Sequence, residues 1–269
     1  MVRMRNEYLA RIGLAEPPPA TASGLRILQE AHLRTVPFEN LSIHLGEPVV
    51  LAEADLLAKV VDRRRGGFCY ELNGAFAVLL RELGFAVTLL QARVYGRDGA
   101  LGIPYDHLAL RVDIGGTPWL ADVGFGRFTR YPVRLDTAAA QEDPGGTVTV
   151  THGAEGDLDV SVDGAPQYRL EARPRALSDF EPSCWYHQTS PRSHFTQSLV
   201  CSLATATGQL TLSGHTLIET VGGQRTEKHL ADDAEVLAAY GDLFGIVLER
   251  LPAEPAPVSP DQVSPDQVS

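Results

Sequence analysis

The chain has 269 residues, 44% hydrophobic and 21% charged, with a net charge of −11. That composition fits a globular protein with a substantial core, and the acidic balance argues against wholesale nucleic-acid binding. Cys69, Cys184 and Cys201 form no CxxC pair, which argues against a disulfide scaffold or a structural zinc site and fits a reducing, cytoplasmic setting. The first residues lack an apolar signal core, and no apolar run reaches the length of about 18 residues that suggests a membrane span.

The first part reads as helical. Residues 7–14 predict a short helix ended by Pro17-Pro18-Pro19. Ser23 is a candidate cap for a second helix that turns Leu25, Leu28 and either His32 or Leu33 inward, with Pro37 as its stop. A third helix is expected over 53–63. A fourth starts near Cys69, places Leu72, Phe76, Leu79, Leu80 and Leu83 on one face, and ends at Gly84.

From about Ala86 the hydrophobic period falls to two. Residues 87–95, 107–114 and 119–123 read as strands, with Gly115-Gly116 as the turn between the last two. Residues 147–151, 158–162 and 168–172 continue the series, and short turns imply an antiparallel barrel or sandwich. Beyond Trp185 the pattern mixes: strands are expected over 210–212 and 215–221, and a helix over 233–244 capped by Asp232 or Asp233. A repeated Ser-Pro-Asp-Gln-Val forms a polar, Pro-containing tail that reads as disordered.

The segment Arg65-Gly66-Gly67-Phe68-Cys69-Tyr70-Glu71-Leu72-Asn73-Gly74 puts a cysteine behind two glycines at a helix start. Unpaired N–H groups and the positive helix end both favour thiolate, and together with a nearby imidazolium they are expected to bring the thiol pKa well below about 8.5. The glycines let backbone or substrate approach closely. A thiol nucleophile needs a base, and the base an acceptor to fix its tautomer. His107 opens a strand, and Asp122 ends the next. If those strands are antiparallel neighbours, the two side chains meet, although Asp106 and Asp113 compete as partners. Cys184 and Cys201 lack such an entry and read as structural. Gly124-Phe125-Gly126 lacks the rest of a phosphate-loop fingerprint, and His215 and His229 show no metal-ligand spacing.

The segment 65–73 closely resembles the active-site segment of the arylamine N-acetyltransferase family. Val36-Pro37-Phe38-Glu39-Asn40-Leu41, His107-Leu108 and Asp122-Val123-Gly124-Phe125-Gly126 resemble three further family segments, in the family's order. The separations are family-like: 38 residues from Cys69 to His107, and 15 from His107 to Asp122. The resemblance implies an α+β fold with a cysteine-protease or transglutaminase-like catalytic core. Its regions would be a helical bundle over 1–85, an antiparallel β-barrel over 86–190 and an α/β lid over 191–255, before the tail over 256–269. It implies a Cys69-His107-Asp122 triad that takes acetyl from acetyl-CoA, as cosubstrate, and passes it to an aromatic amine or hydrazine. No metal, prosthetic group, nucleic-acid or membrane partner is implied.

Phe38 and Phe125 follow family motif positions and are expected to line the substrate cleft, whereas Phe68 reads as core. Arg64 and Arg65 could meet CoA phosphates, but a brace to Glu39 is the preferred reading. An oxyanion hole would use the Cys69 backbone N–H and one more donor. Three rival readings remain at this point: a related amide synthase closing a macrolactam, a cysteine hydrolase, and a catalytically inert binding module.

Overall fold

The computed structural model describes residues 2–126 and 129–255, so the repeated tail lies outside the described residues. The chain opens with helix α1 (Val2–Arg11), which starts and stops earlier than the sequence predicts. Its end is set by Gly13 rather than by the prolines: Gly13 takes φ +75°, and the Leu14 N–H reaches back to the Leu9 carbonyl at 2.8 Å. Helix α2 (Ala22–Leu33) is capped by Thr21, whose hydroxyl accepts from the Gly24 N–H, rather than by Ser23. It buries Leu25, Leu28 and His32 as the periodicity requires.

A two-residue strand β1 (Phe38–Glu39) and short helix α3 (Leu41–Leu45) follow. Helix α4 (Glu53–Leu57) does not continue as one α-helix to Arg63. It passes into a single π turn, Ala58–Asp62, closed by the Arg63 N–H on the Ala58 carbonyl. Helix α5 (Cys69–Glu82) then runs through the middle of the molecule, with every residue from Cys69 to Ala77 buried.

Eight antiparallel strands follow: β2 (Ala86–Val94), β3 (His107–Ile114), β4 (Thr117–Ala121), β5 (Val133–Arg134), β6 (Gln141–Asp143), β7 (Gly146–His152), β8 (Leu158–Val162) and β9 (Ala165–Leu170). Their order across the sheet is β5-β4-β3-β2-β9-β8-β7-β6. The two edges approach one another: the Gln141 amide bonds both the N–H and the carbonyl of Arg134, and Asp143 accepts from the Arg130 and Tyr131 N–H groups. The result is a nearly closed barrel. Leu90, Ala92, Ala109, Leu120, Val150, Val160 and Tyr168 fill it. The alternate residues Leu89, Leu108, Leu110, Val112 and Ala121 face outward, into a core shared with α1, α2 and α5.

Helices α6 (Glu181–Thr189) and α7 (His194–Gln197) lead to strands β10 (Cys201–Ala204), β11 (Gly208–Ser213), β12 (Thr216–Val221) and β13 (Gln224–His229), and to helix α8 (Asp233–Phe244). Asp232 caps α8 through the Glu235 N–H, and Gly245 in the left-handed region ends it. The second sheet has the order β1-β10-β11-β12-β13, so its first edge comes from the N-terminal part of the chain. Leu41, Leu45, Cys201, Leu212, Tyr240 and Phe244 form its core. Among the described residues, no helix is long and apolar enough to cross a membrane.

Candidate active site

The glycines before Cys69 are required by backbone packing. A Cβ on Gly66 would stand 1.9 Å from the Pro37 carbonyl oxygen, and one on Gly67 would stand 2.5 Å from the Glu71 carboxylate. The approach they permit is therefore to the 36–41 segment and to α5 itself. The Glu39 N–H bonds the Gly67 carbonyl at 2.9 Å. Arg65 donates to Glu39 at 3.0 Å and to Glu47 at 3.2 Å, both as a brace; Arg64 is exposed and takes φ +53°. Burial would raise the Glu39 carboxyl, but Lys59 and Arg65 outweigh it and hold the group below its ordinary range. Asn40 donates to the Phe195 and Ser198 carbonyls and accepts from the Val200 N–H, fixing the 195–200 segment beside the helix start.

Cys69 is the first residue of α5. Glu71 reaches back to the Phe68 N–H at 3.2 Å and is itself paired with buried Lys59. Phe68 is 1% exposed and packs against Tyr70 and Phe195, so it belongs to the core. Cys184 and Cys201 are buried free thiols; Cys184 lies in the first turn of α6, and Cys201 opens β10.

β3 and β4 are antiparallel neighbours joined through Gly115-Gly116, and Leu110 stands opposite Ala121. Continuing that register puts Asp122 opposite Ala109, one diagonal step from His107 on the barrel face. The strand β4 ends at Ala121, two residues before the predicted end. The Asp122 N–H turns toward the buried Gln29 side chain at 3.4 Å, and the Val123 N–H donates to Asn73 Oδ1 at 2.9 Å. His107 Nε2 donates to Asp122 Oδ2 at 2.7 Å. Asp113 pairs with Arg111 and Asp106 faces His187, so neither aspartate takes His107.

Asp122 is saturated. Oδ2 also accepts from the Tyr168 hydroxyl at 3.1 Å, while Oδ1 accepts from Asn73 at 2.8 Å and from the Gly124 N–H at 2.9 Å. Burial pushes this carboxyl up, but the His107 charge and these donors overcome it and hold it below the usual carboxylate range. Burial beside Asp122 pushes the Tyr168 phenol well up, so it stays a neutral donor. The His107 ring packs against Phe125 and Tyr168, at centroid distances of 5.1 and 5.2 Å, and those two rings touch each other at 5.0 Å.

These pieces converge on one cavity of about 640 Å³, whose wall includes Cys69, His107, Gly124, Phe125, Phe38 and Asp106. A Cβ on Gly124 would fall 2.6 Å from the Cys69 Cα, so this glycine lets the two segments touch. Phe38 and Phe125 both line this cavity. The expected acidic thiol is not found. Burial pushes the Cys69 thiol well up, and the Asp106 and Asp122 charges add to it, against one lowering contact from the Leu108 N–H. Burial of the sulfur outweighs that one contact. Gln29, Asn73 and Tyr168 are site residues that sequence reasoning missed. Only Asn73 carried a signal, as a polar residue one turn beyond Cys69 on a buried helix.

The N-acetyltransferase family model matches residues 21–252. An arylamine N-acetyltransferase of Mycolicibacterium smegmatis is 38% identical over 250 residues, covering 90% of this chain and 91% of its own length. One from Escherichia coli is 33% identical over 254 residues, covering 91% and 90%. The solved arylamine N-acetyltransferase of Salmonella typhimurium superposes with a TM-score of 0.85 at 29% identity, over 91% of this chain and 92% of that one. That of Mycobacterium marinum, solved with CoA, gives 0.82 at 32% identity, over 90% and 92%. The fold is that of these enzymes, and the chain belongs to the arylamine N-acetyltransferase family as an acyltransferase.

Proposed function

We propose that the chain transfers acetyl from acetyl-CoA to an aromatic amine or hydrazine in two steps through acetyl-Cys69. The observation that carries this reading is the buried His107–Asp122 bond of 2.7 Å at the wall of the cavity that Cys69 opens into. Asp122 accepts a hydrogen bond from Nε2–H, so the Nδ1 lone pair is left as the base.

The raised Cys69 thiol sharpens the mechanism. Cys69 gives its proton to His107, and the imidazolium so formed stabilises the thiolate against the burial that raises it. The thiolate attacks the acetyl carbonyl, the bond to the CoA sulfur breaks, and the CoA thiolate leaves with the proton from His107. The amine nitrogen then attacks acetyl-Cys69. A C–N bond forms, the C–Sγ bond breaks, and His107 takes the amine proton. Asp122 stabilises the imidazolium in both halves. Phe38 and Phe125 present apolar faces suited to a flat aromatic acceptor.

On the same reading, residues 1–85 supply Cys69 and residues 86–190 supply His107 and Asp122. Residues 191–255 close one side of the cavity through Phe195 and Val200. A CoA complex of the Mycobacterium marinum relative supports the donor, and the named relatives support the acceptor class.

A panel of acyl donors and acceptors with intact-mass readout tests this reading. Acetyl-CoA alone should place one acetyl group on Cys69, and an arylamine should remove it as the amide. Rapid loss of that acetyl group to water would indicate a hydrolase. Acylation only by a carrier-bound chain would indicate an amide synthase. Cys69→Ser should fold and transfer nothing measurable.

A further inference from the structure

A second histidine–aspartate pair lies in the same cavity wall, and the proposed triad does not use it. Asp106 precedes His107 and lines the cavity, and its side chain is 14% exposed. Its backbone carbonyl stands 4.0 Å from the Cys69 sulfur and accepts from the Tyr70 hydroxyl at 3.1 Å, so the residue sits beside the nucleophile. The carboxylate packs on Gly102, where a Cβ would stand 2.3 Å from Oδ2. The donor it has is the Val94 N–H at the end of β2, at a long 3.4 Å.

His187 of α6 faces Asp106 Oδ1 across 3.2 Å, yet its buried Nε2 is off-line for a hydrogen bond and has no partner. The Ser193 hydroxyl already accepts from the Phe195 N–H, so its own proton is free to go to His187 Nδ1 at 3.1 Å. That arrangement suits the Nε2–H tautomer of His187, which stands beside the carboxylate without a hydrogen bond to it. The contact is one of proximity. A carboxylate with two oxygens accepts about four hydrogen bonds. Asp106 is short of donors, and its exposed side is the cavity.

We propose that Asp106, steadied by His187, is the specificity-determining residue of the acceptor subsite. Its carboxylate takes an N–H of the incoming nucleophile and turns away acceptors that carry a negative charge. Hydrazides and hydrazines offer a second N–H beside the attacking nitrogen and are favoured. Aromatic amines bearing a carboxylate meet a like charge in a partly dry wall and are disfavoured. Cys69, His107 and His194 also line this cavity, as does a second carboxylate, Asp98, which accepts from the Ala100 N–H at 2.9 Å. The Arg93 guanidinium is held by the Gly102 and Leu101 carbonyls.

The inference rests on the acetyl-Cys69 reading, and the test separates the two. The full chain is acetylated with acetyl-CoA. Decay of the acetyl-enzyme is then followed by mass with an aromatic hydrazide and, separately, with an aminobenzoate. Asp106→Asn should lower the ratio of the hydrazide to the aminobenzoate rate constant by about tenfold. A change of less than about threefold overturns the inference. Asp106→Ser gives the same reading should the asparagine variant fold poorly. His187→Gln, which keeps an N–H near the Nε2 position, should hold the wild-type ratio, and His187→Phe should shift it as Asp106→Asn does. A ratio that His187→Phe leaves in place overturns the steadying role. A wild-type chain that takes no acetyl group defeats the proposed function instead.

Discussion

Asp122 and Asp106 each stand near Cys69, and each faces a histidine, but their surroundings are built for opposite tasks. Asp122 has a side chain with no exposure, and it is enclosed by His107, Tyr168, Asn73 and the Gly124 N–H. Asp106 has one long backbone donor, an off-line imidazole and an open side toward the cavity. A saturated carboxylate can only orient what it already holds. An undersatisfied one has capacity left for a ligand. The contrast shows that residue type and proximity do not assign a role. The count of donors already committed does.

The largest expected effect comes from Asp122→Asn, which presents an amide where His107 needs an acceptor and so favours the wrong tautomer. Transfer should fall by about 10³–10⁴-fold, equally for hydrazide and aminobenzoate, in steady-state kinetics. An acceptor-dependent loss would erase the distinction from Asp106. Asn73→Leu removes one donor from Asp122 and leaves the Val123 N–H and the Leu108 carbonyl without their partner. It should cost about 1–3 kcal/mol in chemical denaturation and lower transfer with both acceptors.

Stability against pH sharpens the comparison further. Asp122 and Glu39 are both held below their ordinary range, so their stabilisation is fully present above about pH 4–5, the unfolded carboxyl values. It is lost as pH falls through the depressed folded values. Glu39→Gln should therefore give a shallower fall in melting temperature from about pH 5 to pH 2 than the wild type. The smallest effect should come from Tyr168→Phe, which removes one of the two donors to Asp122 Oδ2. It should cost about 0.5–1.5 kcal/mol of stability and little selectivity between acceptors.

Much of this contrast lay beyond what the sequence makes legible. The His107–Asp122 meeting was legible because period-two alternation and a Gly-Gly turn together set a register. Cys69 at a helix start was legible from its glycines and the apolar face that follows. The desolvation that raises its thiol was not, since burial depends on how α5 seats between barrel and bundle. Gln29 and Tyr168 reach Asp122 from residues 93 and 46 positions away, and no local pattern encodes such a meeting. Strand β13 escaped prediction because its six residues are all exposed and mostly polar, without alternation. β1 is too short for periodicity, and its place on the second sheet is fixed by Asn40 and β10 far along the chain. The π turn after Leu57 carries no marker residue, yet it belongs to the stretch where Lys59 is buried against Glu71.

The central claim is that Cys69 becomes a nucleophile only by giving its proton to a histidine that Asp122 holds. The most direct test is intact mass and peptide mapping of the wild-type chain after mixing with acetyl-CoA and no acceptor, alongside His107→Gln. The account predicts one acetyl group on Cys69 in the wild type and none in His107→Gln at neutral pH. An acetyl group on Cys184 or Cys201, or equal acetylation of Cys69 in both proteins, would contradict it.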